Sequence, residues 1–246
     1  EIEQRKWRKT KRQARYFRQW ESYFVDRIDE LIRETKPEYD VPSIHIPETE
    51  NRYAWIVSVF DLHVGRYGFA DQVGRGYDID TAKKRLRNKT EYLIQKIENR
   101  GRPEEIIFLQ GGDWYQIDNL KGQTTAGTTV DYEYTYSEIV DKGNQLLINY
   151  IDMLRQVAPV TILLTPGNHD QKVSYHTSNY LEAWYRDEND VTINPEERYK
   201  HRVYYEYGST VMGACHGRDI SASNTDRILM SEAKEIWGQS KIDQGI

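Results

Sequence analysis

Three short apolar runs, separated by segments long enough to form helices, constrain the fold of this chain more than any other feature. The runs are "RYAWIVSVF", "EIIFLQ" and "VTILL", and they are rich in β-branched and aromatic residues, which favour strands. Each run is nearly continuous in its apolar character, which is typical of a strand buried on both faces. The segments between them, "DIDTAKKRLRNKTEYLIQKIENRG" and "DYEYTYSEIVDKGNQLLINYIDMLRQV", are predicted to be helices. This alternation predicts an α/β fold with parallel strands.

Several element boundaries are marked by residues with known capping preferences. Asp80 is the expected N-cap of the first helix of the main domain, and Gly101 is its expected stop. A short helix is predicted over residues 179–186. The runs "RVYYEYG" and "STVMGACHG" are predicted to form two strands joined by a tight Gly-Ser turn. A last helix is expected over residues 227–237.

Polar residues follow the predicted strands directly. The first strand continues into "DLH", with Asp61 and His63, the second into "GGD", with Asp113, and the third into "TPGNHD". A later predicted strand ends at His216 in the same way. In parallel sheets, ligand sites lie beyond the carboxyl ends of the strands. We therefore expect these side chains to converge at one edge of the sheet.

The residue types in this set suit a pair of divalent metal ions. Asp61 and His63 lie two positions apart, so both can point the same way from an extended chain, and a carboxylate with an imidazole suits a first-row metal. The carboxylate of Asp113 has two oxygens and can bridge two ions. Asn168 offers an amide oxygen and His216 an imidazole nitrogen. The sequence thus predicts a mixed nitrogen and oxygen site for two metals, roughly 3.5–4 Å apart.

The motif "GNHD" places three polar residues in succession after a strand. We expect Asn168 to be a metal ligand and His169 to face the substrate as a proton donor or as a stabiliser of charge. Asp170 is expected to accept a hydrogen bond from the imidazole of His169, which would fix its tautomer and raise its pKa. Ligand, catalyst and orienting group would then be consecutive residues.

The motifs "DLH", "GGD", "GNHD" and "CHG", in this order and at strand ends, resemble those of the calcineurin-like metallophosphoesterase superfamily. The spacing between the motifs is similar as well. The resemblance extends from about Trp55 to Gly217. The run "GGDWYQIDN", followed by a Thr/Gly-rich loop and "TPGNHD", looks most like phage and prophage members of the family.

The resemblance implies a four-layer sandwich, in which two mixed β-sheets are flanked by helices. It also implies two divalent metal ions, Mn²⁺ as the first expectation and Fe or Zn as alternatives, and hydrolysis of a phosphoester by a metal-bound hydroxide. By position, Asp61, His63 and the bridging Asp113 would bind one metal, whereas Asp113, Asn168 and His216 would bind the other. In the family, the histidine of "GNHD" assists the leaving group or the transition state.

One motif of the family is missing from this sequence. The family usually ends its site with Gly-His-x-His, one imidazole for each metal, whereas no histidine follows His216 here. Asp219, Asp226 or water are candidates to replace these ligands. The missing motif supports a second hypothesis, a catalytically weakened metal-binding module that acts as a nucleic-acid-binding or assembly subunit.

The N-terminal region is basic although the whole chain is acidic. The 246 residues carry a formal net charge of −5, yet eight Lys or Arg residues lie between Arg5 and Arg18 with no acid among them. We predict a basic amphipathic helix over residues 1–36, a Pro-rich linker over 37–50 and a metallophosphoesterase domain over 51–246. The cations suit the phosphates of a nucleic acid. A solvated helix face, or pairing with a second copy of the chain to form a homo-oligomer, are the alternatives.

Residues near the predicted site are candidates to contact the substrate. Arg66 follows the first ligands in a Gly-rich loop and can bind phosphate, with plain solvation as the alternative. His176 is either a substrate contact or a structural or solvated residue. Tyr132, Tyr134 and Tyr136 are expected to pack or to lie exposed on a helix, and a base-stacking platform is the minor alternative.

Composition excludes several classes of protein. The single cysteine, Cys215, rules out an intramolecular disulfide framework and a Cys-rich zinc site. No apolar run is long enough to span a bilayer, and the first residues lack the apolar core of a secretory signal, so we expect a cytoplasmic protein without a membrane partner.

The leading hypothesis is a divalent-metal-dependent phosphoesterase that hydrolyses a phosphodiester, in nucleic acid or nucleotides, with a phosphomonoesterase as a competing activity.

Overall fold

The computed structural model describes most of the main domain. The helix predicted over residues 1–36 lies outside the described residues, as do Asp219 and most of the predicted linker. Side chains are not described for Glu98, Ala222 and residues 242–245. The described residues are 44, 46–69, 71, 74, 76–193, 200–218, 220, 222–234 and 242–245.

Four parallel strands in sequential order form the main sheet. Each strand pairs in parallel with the next, and the strands are β1 (Ala54–Val59), β2 (Glu105–Gln110), β3 (Val160–Leu164) and β4 (Val191–Ile193). Three helices alternate with them, α1 (Ile79–Glu98), α2 (Tyr136–Arg155) and α3 (Gln171–Tyr185). Strand β3 is wholly buried and β2 almost so, which explains their continuous apolar sequences. The predicted α/β fold with a parallel sheet is confirmed.

Two helices begin at different residues from those expected. The N-cap of α1 is Asp78, whose carboxylate accepts a hydrogen bond of 2.7 Å from the backbone N–H of Thr81, whereas Asp80 already lies in the first turn. Helix α3 begins at Gln171 and not near residue 179. The N–H groups of its first turn are capped by the carboxylate of Asp118, which no local pattern in the helix itself reveals.

A second, smaller sheet packs against the main one. Strands β5 (Arg202–Tyr207) and β6 (Thr210–Cys215) form the predicted antiparallel hairpin, and β7 (Ile242–Gly245) pairs in parallel with β6. One buried cluster contains residues of both sheets, namely Ile107, Leu109, Leu163, Val203, Met212 and Ala214. The two sheets therefore share one core.

One helix contacts each of the two sheets through a buried side chain. The ring of Phe108, in β2, meets the ring of Tyr150, in α2, with their centroids 5.0 Å apart. Helix α4 (Thr225–Glu232) packs on the second sheet through Leu229, which lies in a cluster with Val211 of β6. Within the described residues, none of the helices combines the length and the apolar character that crossing a bilayer requires.

The end of the predicted linker packs on the main domain. Residues 41–246 group together by their contacts. Ile46 is buried, and the carbonyl of Pro47 accepts a hydrogen bond of 2.7 Å from the backbone N–H of Arg102. This part of the linker is therefore held by the residues that connect α1 to β2.

The shared core predicts unequal effects for two methionine substitutions. Met212→Ala removes a side chain that is 2% exposed between the sheets, and it should lower the free energy of unfolding by about 2–5 kcal/mol. Met230→Ala, the matched control on α4, removes a side chain that is 48% exposed and should change it by less than about 0.5 kcal/mol. Urea denaturation of both variants measures the difference, and equal effects would contradict a core shared by the two sheets.

Candidate metal centre

The ends of the parallel strands bring three of the predicted motifs together. Val59 of β1 pairs with Gln110 of β2, and Gln110 pairs with Leu164 of β3, so the three strands end at one level. Backbone pairing continues beyond this level, since the N–H of His63 donates a hydrogen bond of 2.8 Å to the carbonyl of Asp113. The segments that carry "DLH", "GGD" and "GNHD" thus lie side by side at one edge of the sheet.

Asp113 lies at the centre of the candidate ligands. Its Oδ2 is 3.2 Å from Nε2 of His216, which is 3.8 Å from Oδ1 of Asp61. The same Asp61 oxygen is 3.7 Å from Nε2 of His63. Candidate ligand atoms within 4.8 Å of one another form two groups, one with Asp61, Asp113 and His216, the other with His63, Asp113 and His169. Asp113 belongs to both groups, as a bridging carboxylate must.

The backbone is strained at the candidate ligands. Asp61, His63 and Asp113 have φ angles of 53°, 49° and 52°, in the left-handed region that residues with side chains seldom adopt. Each such residue costs about 1–3 kcal/mol. Among the described residues other than glycine, only Tyr134 shares this conformation. Strain concentrated in this way is typical of a functional site.

Two glycines allow the loops after β2 and β3 to touch. Gly112 has a φ of 91°, and a Cβ atom there would lie 2.7 Å from the backbone nitrogen of Gly167. A Cβ atom on Gly167 would lie 2.0 Å from Oδ1 of Asp113. Both glycines are therefore required by the close approach of the backbone, and their absence of side chains lets the carboxylate of Asp113 sit against the second loop.

His169 is held by contacts on two sides. Its backbone N–H donates a hydrogen bond of 2.7 Å to Oδ1 of Asp113, and its Nδ1 lies 2.8 Å from the carbonyl oxygen of Gln116. A carbonyl only accepts hydrogen bonds, so Nδ1 carries the proton and Nε2 is the nitrogen free for a ligand or a substrate. The ring also meets that of His63 edge to face, with centroids 4.6 Å apart.

The carboxylate of Asp170 binds backbone N–H groups and not, as predicted, the ring of His169. It is 0% exposed, and its carboxylate accepts backbone hydrogen bonds from Asp113 at 3.2 Å, Tyr115 at 3.2 Å and Gly167 at 2.9 Å. Burial raises the pKa of Asp170 to about 6, although the backbone donors oppose the rise. Asp170 thus joins two loops, and the Gln116 carbonyl orients the imidazole.

Asp118 is a residue of this region that the sequence analysis missed. It is 2% exposed, and its Oδ1 accepts backbone hydrogen bonds from Lys172 at 2.8 Å and Val173 at 3.0 Å. Its Oδ2 accepts a hydrogen bond of 2.9 Å from the hydroxyl of Thr125. Asp118 therefore caps α3 and fixes the Thr/Gly-rich loop. Its position within "GGDWYQIDN" was the only sequence signal.

Electrostatics favour an ionised Asp113. Burial raises its pKa, but the hydrogen bonds from His216 and from the backbone N–H of His169 outweigh burial, so the pKa lies below its usual value. The hydrogen bond with Asp113 is the main cause of the raised pKa of His216. Burial, together with the neighbouring His169, lowers the pKa of His63, which keeps this imidazole neutral and able to bind a cation.

The donor set fits divalent metal ions. Atoms bound about 2.1 Å from one cation lie roughly 3–4 Å apart, and the three distances among the carboxylates and Nε2 atoms are 3.2, 3.7 and 3.8 Å. Nδ1 of His63 and Nδ1 of His216 are buried and have no hydrogen-bond partner among the described residues. Imidazole and carboxylate donors together suit Mn, Fe or Zn.

The two groups consist of His and Asp residues only and do not test the other predicted site residues. Asn168 is half-buried, and its backbone carbonyl accepts a hydrogen bond of 3.0 Å from the backbone N–H of Thr125. Arg66 is exposed in the loop after β1, and His176 is exposed on α3. Asp226, a suggested replacement ligand, is exposed on α4. Their predicted roles stay predictions.

Neither protein-family models, nor curated proteins, nor solved structures yield a match to this chain. The resemblance to calcineurin-like metallophosphoesterases therefore stays a prediction from four short motifs. The case for the metal centre rests on the chain's own geometry, in which Asp113 joins two groups of donors on a strained backbone.

The shared carboxylate predicts how metal content responds to substitution. Asp113→Asn should lower the affinity for both ions, because both groups contain this residue, whereas Asp61→Asn should mainly affect one. Titration calorimetry with Mn²⁺ and metal analysis after dialysis measure the affinity and the metal content of both variants. Asp141→Asn, which removes an exposed carboxylate on α2, is the control and should behave as the wild type. Two equivalents retained by Asp113→Asn would show that it does not bridge.

The contacts of Asp170 predict a loss of stability on its removal. Asp170→Ala leaves three buried backbone N–H groups without their acceptor, and it should lower the free energy of unfolding by about 3 kcal/mol or more. Asp170→Asn keeps an accepting oxygen and should lower the free energy of unfolding by less. Asp226→Ala is the exposed control. Urea denaturation that finds Asp170→Ala as stable as this control would contradict a role in joining the loops.

Proposed function

We propose that this chain is a divalent-metal-dependent phosphoesterase that hydrolyses a phosphodiester in nucleic acid or nucleotides. The observation that carries the proposal is the position of Asp113, which is common to two groups of candidate ligands at the edge of the parallel sheet. Ions held by residues that share this carboxylate would stabilise the charge that develops in a phosphoryl transfer. Backbone strain at the same residues supports a catalytic role.

Two carboxylates and two imidazoles would hold the ions. They belong to Asp61, His63, Asp113 and His216, with Asn168 as a further oxygen donor. When bound, ions such as Mn²⁺, or Fe or Zn, lower the pKa of water and neutralise phosphate charge. The chain fixes the donors through its backbone contacts. The side chain of Asp61 is 64% exposed, so the substrate has access from that side.

His169 is proposed to give a proton to the leaving oxygen. The Gln116 carbonyl accepts the Nδ1 proton and holds the ring, so the proton given to the leaving oxygen would be one carried on Nε2 by the imidazolium form of His169, which becomes neutral in the step. The grouping of His169 with His63 and Asp113 supports a competing role as a ligand. In that case the contact between Nδ1 and the carbonyl would orient the ligand.

The packing of the two sheets supports the four-layer sandwich as the finer description of the fold. Connections between parallel strands are nearly always right-handed, so α1, α2 and α3 are expected on one face of the sequentially ordered main sheet. The second sheet covers the other face through the shared core, and α4 covers the second sheet. This order of layers is the one the family resemblance implies.

The preference for nucleic acid has separate support. Eight cations without an acid lie between Arg5 and Arg18, and cations in such a run can neutralise phosphates. These residues lie outside the described part of the chain. Pairing of two chains through the same segment is the competing proposal for its use.

A metal-binding module with little or no catalysis is the second candidate function. It is supported by the small number of candidate donors among the described residues, since each group contains three His or Asp residues and Asp113 is counted in both, so the ions would be bound weakly. Such a module would serve as a nucleic-acid-binding or assembly subunit. Two tightly held metals with turnover favour the enzyme, and one metal or none without turnover favours the module.

The proposed activity predicts a distinct effect of removing His169. With Mn²⁺, the protein should hydrolyse bis-(p-nitrophenyl) phosphate faster than p-nitrophenyl phosphate. His169→Ala should keep both metals, and kcat should fall by roughly 10²–10⁴, with a smaller loss for esters whose leaving group needs little protonation. Stopped assays of the two p-nitrophenyl esters, whose leaving group needs little protonation, and of a dinucleotide, whose leaving oxygen needs a proton, measure these effects together with metal analysis.

The matched control for this experiment is His201→Ala. His201 lies outside both ligand groups, where its Nε2 contacts the amide nitrogen of Gln171 at 2.8 Å. This variant should keep both metals and most of its activity. If His169→Ala instead loses a metal, His169 is a ligand. If the wild type with two metals hydrolyses neither ester, the proposed activity is wrong.

A further inference from the structure

Exposed aromatic side chains are concentrated next to the metal centre. Among the described residues, eight large apolar side chains are exposed, and four of them lie on two adjoining segments. The segments are held together by a backbone bridge between Arg66 and Tyr132 and by a hydrogen bond of 2.7 Å from the N–H of Glu133 to the carbonyl of Gly65. We call the four residues the aromatic surface, which comprises Tyr67, Phe69, Tyr132 and Tyr134.

Contacts with neighbouring side chains hold the residues of the aromatic surface in place. The rings of Tyr67 and Phe69 meet edge to face, with centroids 4.7 Å apart, while both remain exposed. Tyr134 has a φ of 67°, an unfavourable conformation for a bulky residue, and the ammonium of Lys142 lies 4.7 Å from its ring. Because α2 begins only at Tyr136, Tyr132 and Tyr134 lie in a loop and not on the predicted helix.

A row of cations along the sequence of α1 comes next to this surface at Arg85. The first half of α1 carries five exposed Lys or Arg residues between positions 81 and 90 and no acid. Arg85 of this row lies 5.1 Å from the ring of Tyr77, and Arg66 lies 6.0 Å from the same ring. Acids flank the row, since Lys83 lies 4.0 Å from Asp80 and Arg87 pairs with Glu91 at 2.8 Å. The five cations are Lys83, Lys84, Arg85, Arg87 and Lys89.

The aromatic surface is continuous with the metal centre. The backbone N–H of Arg66 donates a hydrogen bond of 2.9 Å to the carbonyl of His63. The hydroxyl of Tyr77 donates a hydrogen bond to the carbonyl of Leu62, which lies between the candidate ligands Asp61 and His63 of the "DLH" motif. A strand bound on this surface would therefore have a direct route to the candidate ligands.

We propose that the aromatic surface and the cations of α1 bind single-stranded nucleic acid, with unpaired bases stacked on the rings and phosphates along the helix. Base–aromatic stacking needs an exposed base face, which a single strand offers and a duplex hides. The delivery of this strand to the metals rests on the proposed function, whereas the binding itself does not. Glu133 and Asp80 lie near Tyr134, so stacking contributes more than charge at that end of the surface.

Stacking is tested by comparing two ligands that differ only in their bases. The full chain is titrated in EDTA, which prevents cleavage, with fluorescent oligothymidylate of about 16 nucleotides and with an abasic strand of equal length. Tyr67→Ala/Phe69→Ala should weaken binding of oligothymidylate roughly tenfold or more. Binding of the abasic strand, which has only phosphates, should stay the same. Met230→Ala, on α4, is the matched control and should change neither.

The cations are tested with the same strands. Lys84→Gln/Arg85→Gln/Lys89→Gln should weaken binding of both strands and reduce the dependence of log affinity on log salt by about two, since each phosphate contact on a single strand contributes about 0.7. Arg227→Gln/Lys234→Gln removes two exposed cations in and just after α4 and should leave the salt dependence unchanged.

The outcomes separate this inference from the proposed function. If the aromatic variant binds both strands as the wild type does, or weakens both equally, the surface does not stack bases and the inference is wrong. Circular dichroism and thermal unfolding of each variant show whether it is folded, and an unfolded Tyr67→Ala/Phe69→Ala is replaced by Tyr67→Leu/Phe69→Leu. Hydrolysis of bis-(p-nitrophenyl) phosphate by the unaltered protein with Mn²⁺ tests the activity independently, because this small ester needs no stacking surface.

Discussion

One buried carboxylate, that of Asp170, holds the loops of the metal centre together. Burying a charge without a cationic partner is costly, and the rise of its pKa to about 6 reflects that cost. Three backbone donors, on Asp113, Tyr115 and Gly167, offset part of it. Because these donors come from the loops after both β2 and β3, the carboxylate fixes the position of Asp113 relative to "GNHD". The remaining contacts of the site depend on that position.

The strained backbone is supported by pairing that continues past the ends of the strands. Three consecutive hydrogen bonds join the backbone N–H groups after β1 to the backbone carbonyls after β2. They run from Asp61 to Gly112 at 3.3 Å, from His63 to Asp113 at 2.8 Å and from Val64 to Trp114 at 2.7 Å. These bonds keep the left-handed residues in register, so both side chains of "DLH" reach the ligand cluster. Strain of about 1–3 kcal/mol per residue is thus offset within the same segment.

Local patterns in the sequence predicted the parallel strands, the hairpin and the convergence of the polar motifs, because each depends on neighbouring residues and on the rule that parallel strands end at one edge. The missed features depend on distant contacts. Asp118 accepts a hydrogen bond from the backbone of Lys172, 54 positions later, at the start of α3, and Asp170 binds the backbone of Asp113, 57 positions earlier. Tyr132 and Tyr134 were assigned to the helix that follows them, although the capping box of Thr135 and Glu138 is a local signal that the helix begins only at Tyr136. For Asp118 and Asp170, no local pattern gives the contact.

The metal centre and the aromatic surface differ in charge, and this difference divides binding from chemistry. A phosphodiester beside Asp61 and the ionised Asp113 is repelled until cations neutralise the two carboxylates. Stacking on Tyr67 and Phe69 carries no such repulsion, and the cations of α1 attract the phosphates further along the strand. A single strand can therefore be held at the edge of the site before the metals are in place. Binding that survives removal of metals, together with hydrolysis that does not, follows from this separation of charge.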